Sequence, residues 1–205
     1  MGIVAAGSVN GFFLEVVEDA IKARRVDATG GARSYIVGLL ADYAHPDTRA
    51  GEAMDRPLSF LLDEALHTPA PAERFDKLRA LGDGVLYTCG FFGESLEARG
   101  VDQGYVIGIG TTAYGAASSM LRVSSASPTE EERRVDVFGE LSSKFARFVE
   151  VLSEVADATI VQSVASSKGM LKVYERWLKT GSDRLAQTLS ANGIVPMRGN
   201  PKVLQ

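Results

Sequence analysis

Phe75, Leu78, Gly82, Val85, Cys89, Phe92 and Leu96 follow one another in steps of three and four. Residues spaced in this way share one face of an α-helix, whereas a strand alternates with a period of two. The same steps recur in Phe138, Leu141, Phe145, Phe148, Leu152 and Val155. Two such seams oblige long helices to pack lengthwise, as in a bundle. Shorter stripes with the same period mark three earlier helices. These are Phe12, Phe13, Val16, Val17, Ala20 and Ile21, with Asn10 as cap; Ile36, Leu39, Leu40 and Tyr43; and Leu58, Leu61, Leu62, Ala65 and Leu66 after Pro57. Ser127, Pro128 and Glu130 form a Ser-x-x-Glu capping box ahead of the second seam, and Glu130 with Arg134 suits an i, i+4 pair. Gly181 and Asn192-Gly193 end two further helices, and Ser182 can cap the second. Only "ATIVQSVASS" is β-branched enough to be extended, and one short run makes no sheet.

The expectation is an all-α, single-domain helical bundle over residues 1–205, of about seven or eight helices. Its ordered core covers about residues 10–193, and the turn-rich tail 194–205 is either loose or docked.

One stretch departs from this plain pattern. Residues 104–121 carry no charge and include Gly104, Gly108, Gly110 and Gly115. A dinucleotide loop needs Gly-x-Gly-x-x-Gly, and here the third glycine comes two positions late; a phosphate loop needs a lysine that the stretch lacks. A membrane span is disfavoured by the polar Thr, Ser and Tyr content and by the missing Lys/Arg flank. The spacing instead sets Gly100, Gly104, Gly108, Thr112, Gly115 and Ser119 in a row of small residues, which predicts a close-packed glycine-rich helix. Interior glycine costs about 1 kcal/mol relative to alanine, so close packing or room for a ligand must offset it. In the second case Tyr87, Cys89, Tyr105, Thr112 and Tyr114 would line the pocket.

Other chemistry is sparse. The net charge of −4 argues against general nucleic-acid binding. Arg24, Arg25 and Arg33 flank "VDATGG" as a candidate anion contact, although arginines at a helix end more often complement its dipole. Cys89 is the only cysteine, so no disulfide framework or cysteine-based zinc site exists. Glu64-x-x-His67 occurs once where a di-iron bundle needs two copies, and His45 sits before Pro46 in a loop. No Gly-x-Ser-x-Gly elbow or His-Glu-x-x-His motif appears. The residues therefore point to no catalytic group, metal or cofactor. The N-terminal stretch lacks the basic and apolar regions of a signal peptide, which makes a cytoplasmic protein the expectation.

The block "LGDGVLYTCGFFGESLEARGVDQGYVIGIGTTAYG", with "ELSSKFARFVEVLSEV" and "YERWLKTGS" after it, resembles an uncharacterised group of bacterial helical proteins. The matching elements are Gly82-Asp83, Gly90-Phe91-Phe92, Ser95-Leu96, Val101-Asp102, Tyr105, Ala113-Tyr114-Gly115, Phe145, Phe148 and Arg176-Trp177-Leu178. The resemblance implies a bacterial cytoplasmic origin and carries no activity with it. Rich packing information without site chemistry leads to the expectation of a non-enzymatic protein that binds another protein or itself, a homodimer included. Tyr174, Trp177 and Leu178 are the candidate anchors, although burial favours a core role for Trp177 over an interface one. The alternative is a small-molecule sensor or carrier with its pocket beside the glycine-rich helix.

Overall fold

A computed structural model describes residues 6–45, 56–124, 136–165 and 167–197. The helices are α1 (Ala6–Arg24), α2 (Gly30–Tyr43), α3 (Leu58–His67), α4 (Pro71–Ala98), α5 (Gln103–Ser124), α6 (Val137–Ser143), α7 (Phe145–Val161), α8 (Ser167–Thr180) and α9 (Asp183–Ala191). A 3₁₀ turn, Gln162–Ala165, lies between α7 and α8. Among the described residues there is no strand, and the fold is all-α. Of the run that could have been extended, residues 158–161 belong to α7 and Gln162–Ala165 to the 3₁₀ turn. Asn10 lies inside α1 rather than capping it, since the helix begins at Ala6. The capping box of Ser127, Pro128 and Glu130, and the Glu130–Arg134 pair, fall outside the described residues.

Caps explain several of the boundaries. The Thr29 hydroxyl accepts the Ala32 N–H at 3.2 Å and opens α2, and the Asp136 carboxylate accepts the Gly139 N–H at 2.7 Å and opens α6. Gly100 stands past the end of α4 at φ 73°, with its N–H on Glu97 O and the Val101 N–H on Leu96 O. That left-handed stop needs glycine. Gly181 and Gly193 end α8 and α9 in the same way.

The chain forms two compact units, Met1–Ser153 and Glu154–Gln205, and α7 contributes residues to each. In the first unit α4 and α5 make the most extensive pairing, with α6 on α5, α3 on both, and α1 on α2. The two seams supply the core. Leu78, Val85, Cys89 and Leu96 of α4 are buried, as are Phe138, Leu141, Phe145, Phe148 and Leu152. Each large apolar side chain so buried stabilises the fold by about 1.5–3 kcal/mol. Phe92 breaks the first seam: its backbone leaves the helical region (φ −129°, ψ 19°), and its ring is 47% exposed.

The second unit closes around Val173, Trp177, Leu185 and Leu189, with Ile160, Met170, Tyr174 and Ile194 packed at the edge. Two ion pairs tie the end of α7 to its neighbours. Asp157, 1% exposed, accepts from Arg176 Nε of α8, and Glu154, also buried, accepts from Arg184 Nε of α9.

Candidate functional site

Glycine turns out to matter most where it meets a ring. A Cβ at Gly82 in α4 would come within 2.5 Å of the Tyr114 ring, and a Cβ at Gly110 in α5 would overlap Phe145 and Val85. One at Gly90 would overlap Leu152. These three let α4, α5 and α7 approach closely.

The small-residue row behaves otherwise. Gly104, Gly108, Thr112 and Ser119 lie on the exposed face of α5, and nothing lies within 4 Å of a Cβ placed at Gly108. Gly115 meets only the Ser142 hydroxyl, and Gly100 is outside the helix. Close packing therefore belongs to Gly110, two positions from the row, because the buried face of α5 follows Val106, Ile109, Ala113 and Ala117.

The expected ligand-lining residues do not converge either. Tyr114 and Cys89 are buried in packed core, Tyr105 is half exposed, Thr112 is exposed, and Tyr87 stacks on Tyr43 at 4.3 Å and on Phe91 at 4.7 Å. The room that Gly82 opens is filled by the protein's own tyrosine. Burial pushes the Cys89 thiol up to about 12, so it stays protonated and unreactive. A thiol-specific disulfide reagent at pH 8 should label the native chain at a negligible rate and label it fully in denaturant; fast native labelling would contradict this burial.

The arrangement with the most unusual chemistry surrounds Tyr114. Tyr114 of α5 and Tyr35 of α2 both donate their hydroxyls to one oxygen, Asp83 Oδ1 of α4, each at 2.6 Å. The Tyr35, Phe138, Phe145 and Tyr114 rings pack around it at centroid distances of 5.2–6.4 Å. Burial raises the Asp83 carboxyl above the usual range and outweighs the two hydroxyls and the Arg79 charge, which favour its ionised form. Burial and the adjacent carboxyl likewise raise both tyrosines, so these phenols remain donors. Burial also lifts Tyr43, close to the same carboxyl, to about 12.

Two further carboxylates are spoken for. Asp136 Oδ2 accepts from the Ser118 hydroxyl at 2.8 Å and from Arg122 Nε at 2.9 Å. Glu140 accepts the Thr29 N–H at 3.0 Å, the Thr29 hydroxyl, and Lys144 Nζ at 3.0 Å. For both acids, burial pushes the carboxyl up, but these donors outweigh it and hold the group below its ordinary value. Glu140 thereby sits at the N-terminus of α2, the position an anion would take. The arginines read as an anion contact serve the nearby loop: Arg33 donates twice to Ala28 O, the Arg24 carbonyl accepts from Arg147, and Arg25 is exposed at φ 51°. The carboxylate at the start of α2 is held by Thr29 and Lys144.

Sequence reasoning gave no role to Tyr35, Asp83, Asp157 or Arg176, although Asp83 and Arg176 stood among the residues of the resemblance. A signal for the first acid was present: Asp83 is the single charge in residues 80–93, on an otherwise apolar helix.

Open grooves lie on the surface of the described residues. One of about 210 Å³ is lined by Leu61, Glu64, Lys77, Ala80 and Leu81, and one of about 480 Å³ by Met170, Leu171, Tyr174 and Ile194. Beside the second, Leu171, Leu178, Val195 and Met197 are 42–75% exposed. Trp177, a candidate anchor for which burial favoured the core, is core at 7% exposure and packs with Leu185 and Leu189. Among the described residues no helix is long and apolar enough to cross a membrane, and no group of three or more acidic, His or Cys residues could hold a metal ion. No protein-family model, curated protein or solved structure matches the chain.

Proposed function

We propose that this chain is a non-enzymatic helical interaction protein of the bacterial cytoplasm, which binds another protein through the apolar face of its second unit. The observation that carries the reading is the width of the apolar arc on α8. Val173 and Trp177 are buried, yet Leu171, Tyr174 and Leu178 continue the arc round the helix into solvent, beside Val195 and Met197. An arc wider than its own core can cover, in a unit this small, is the mark of a contact surface.

Exposed Glu175 borders that arc, with exposed Lys172 and Lys179 beyond it, so the flank carries both signs of charge. A second copy of the chain suits such a flank, because residues 1–153 carry an excess of carboxylates and residues 154–205 an excess of cations. The buried and half-buried acids support the non-enzymatic part: Asp83, Asp136, Glu140, Glu154 and Asp157 all have partners within the protein.

Sedimentation of the full chain across a concentration series, with crosslinking for weak contacts, tests the proposal. The double variant Leu171→Glu/Leu178→Glu should weaken association at least tenfold while Trp177 emission stays native. A strict monomer that captures no cellular protein, or a variant that associates like the parent, would count against it.

A further inference from the structure

The α8 arc has a counterpart in the first unit. There α3 is apolar beyond the side it buries: Leu58 and Ala65 are covered, whereas Leu61 and Leu62 are half-buried and Phe60 is 65% exposed. Between α3 and α4 runs the groove of about 210 Å³, with Leu61 and Glu64 on one wall and Lys77, Ala80 and Leu81 on the other. Exposed Ala80 keeps the α4 wall low. We infer that α8 of one copy lies in the α3–α4 groove of the next, so that the chain associates head to tail. This rests on the reading of the α8 arc as a contact surface and gives that surface an occupant.

Length and spacing fit. Leu171, Tyr174 and Leu178 stand at i, i+3 and i+7, the pattern by which an amphipathic helix enters an apolar groove. At about 1.5 Å per residue they span about 10 Å, and the residues of α3 make a wall about 15 Å long.

Charge favours this occupant over a two-fold contact of α8 with itself. In the groove Lys77 lies between Glu64, 3.2 Å away, and Glu73, 3.0 Å away, and Glu64 also holds Arg56 at 3.0 Å. Two nearby cations of α4 are engaged elsewhere: Arg74 donates to Thr68 O, and Arg79 lies beside Tyr35 and Asp83. The groove thus presents a cation flanked by carboxylates. The α8 flank presents the reverse, with Glu175 next to the arc and Lys172 and Lys179 beyond it. Opposite signs in the same order can meet across the contact. An antiparallel pair of α8 helices that sets Leu171 against Leu178 of the second copy centres its axis between Tyr174 and Glu175. It brings the two Glu175 carboxylates together, and like charges so placed oppose the contact.

Two variants, each blocking one side, test the contact. Leu171→Glu/Leu178→Glu removes the arc, and Ala80→Arg fills the groove from an exposed helical position, where arginine costs the helix little. Helical circular dichroism and Trp177 emission should stay native in both. In sedimentation over a concentration series the parent should grow beyond a dimer, because a head-to-tail contact leaves a free surface at each end. Each variant alone should associate at least tenfold more weakly. Mixed in equal amounts, they should form a one-to-one complex and stop there, since each retains the surface the other lacks. A mixture no larger than its components overturns the head-to-tail contact, and so does a strictly monomeric parent. Ala80→Arg associating like the parent while the α8 variant does not also overturns it, and leaves the α8 surface with a different occupant. An α8 variant that associates like the parent removes both.

Discussion

Arg176→Met is expected to destabilise the second unit by about 3–5 kcal/mol, the usual cost of stranding one partner of a buried ion pair. Asp157 is 1% exposed and accepts from Arg176 Nε, so truncating the arginine leaves a carboxylate in an apolar interior with its main donor gone. The reciprocal change, Asp157→Leu, removes one partner of a cation that is 11% exposed and has other contacts, and should cost less. The pair as a whole contributes little. Asp157→Leu with Arg176→Met replaces both charges by apolar groups of similar reach and should recover most of the loss, because each ion's desolvation penalty disappears with it. Trp177 makes the experiment direct: it is the only tryptophan, lies one residue from Arg176, and belongs to the core of that unit. Urea denaturation followed by its emission should give midpoints in the order parent, double variant, Asp157→Leu, Arg176→Met. A single variant as stable as the double would mean that the charge is compensated elsewhere.

The neighbouring Glu154–Arg184 pair should respond less. Arg184 is 37% exposed, and water screens much of what the pair contributes. The contrast between the two pairs separates burial from charge as the source of the effect.

The fold was largely legible in the sequence because a helix advertises its buried face every three or four residues. Leu78, Val85, Cys89 and Leu96, and Phe138 through Val155, occupy the interior as their spacing requires. Phe92 fails this rule, and its spacing could not have shown it. The break at Phe92 is a backbone event, and period alone does not register a lost turn. Trp177 shows a different limit: it was a candidate anchor, and burial made the core its favoured place, where it lies. Periodicity names a face but not how much of it the protein itself covers, and the exposed part of the α8 arc lies to one side, at Leu171 and Leu178.

The candidate site was less legible. Asp83 was visible as a lone charge, but its meaning depends on Tyr35, which lies 48 positions away, and Tyr114, which lies 31 away. A single sequence gives no distance between such residues. The Glu140 carboxylate at the start of α2 illustrates the same limit, since its partner Thr29 is 111 residues distant. The arginines near Thr29 carried an apparent anion signal, and of these Arg33 donates to a backbone carbonyl, Ala28 O.

The glycines of α4 and α5 offer the sharpest division between spacing and packing. Gly108→Ala should stabilise the protein by about 0.5–1 kcal/mol, because alanine favours the helix and its methyl meets nothing within 4 Å. Gly110→Ala, two residues on, gains the same propensity but forces a methyl into Phe145 and Val85, both buried. Overpacking costs about 1–3 kcal/mol and more where neighbours cannot move. Phe145 is held among Tyr114 and the rest of the core, so a net loss of about 2 kcal/mol is expected. Gly90→Ala should be the worst of the three. Its methyl would strike Leu152 at Cβ, an atom fixed to the α7 backbone, so relief requires α4 and α7 to separate. A loss of about 3 kcal/mol, read as a fall in thermal midpoint, is the expected result. The opposite signs at Gly108 and Gly110 carry the argument: were the small-residue row the close-packed face, Gly108→Ala would destabilise and Gly110→Ala would be harmless.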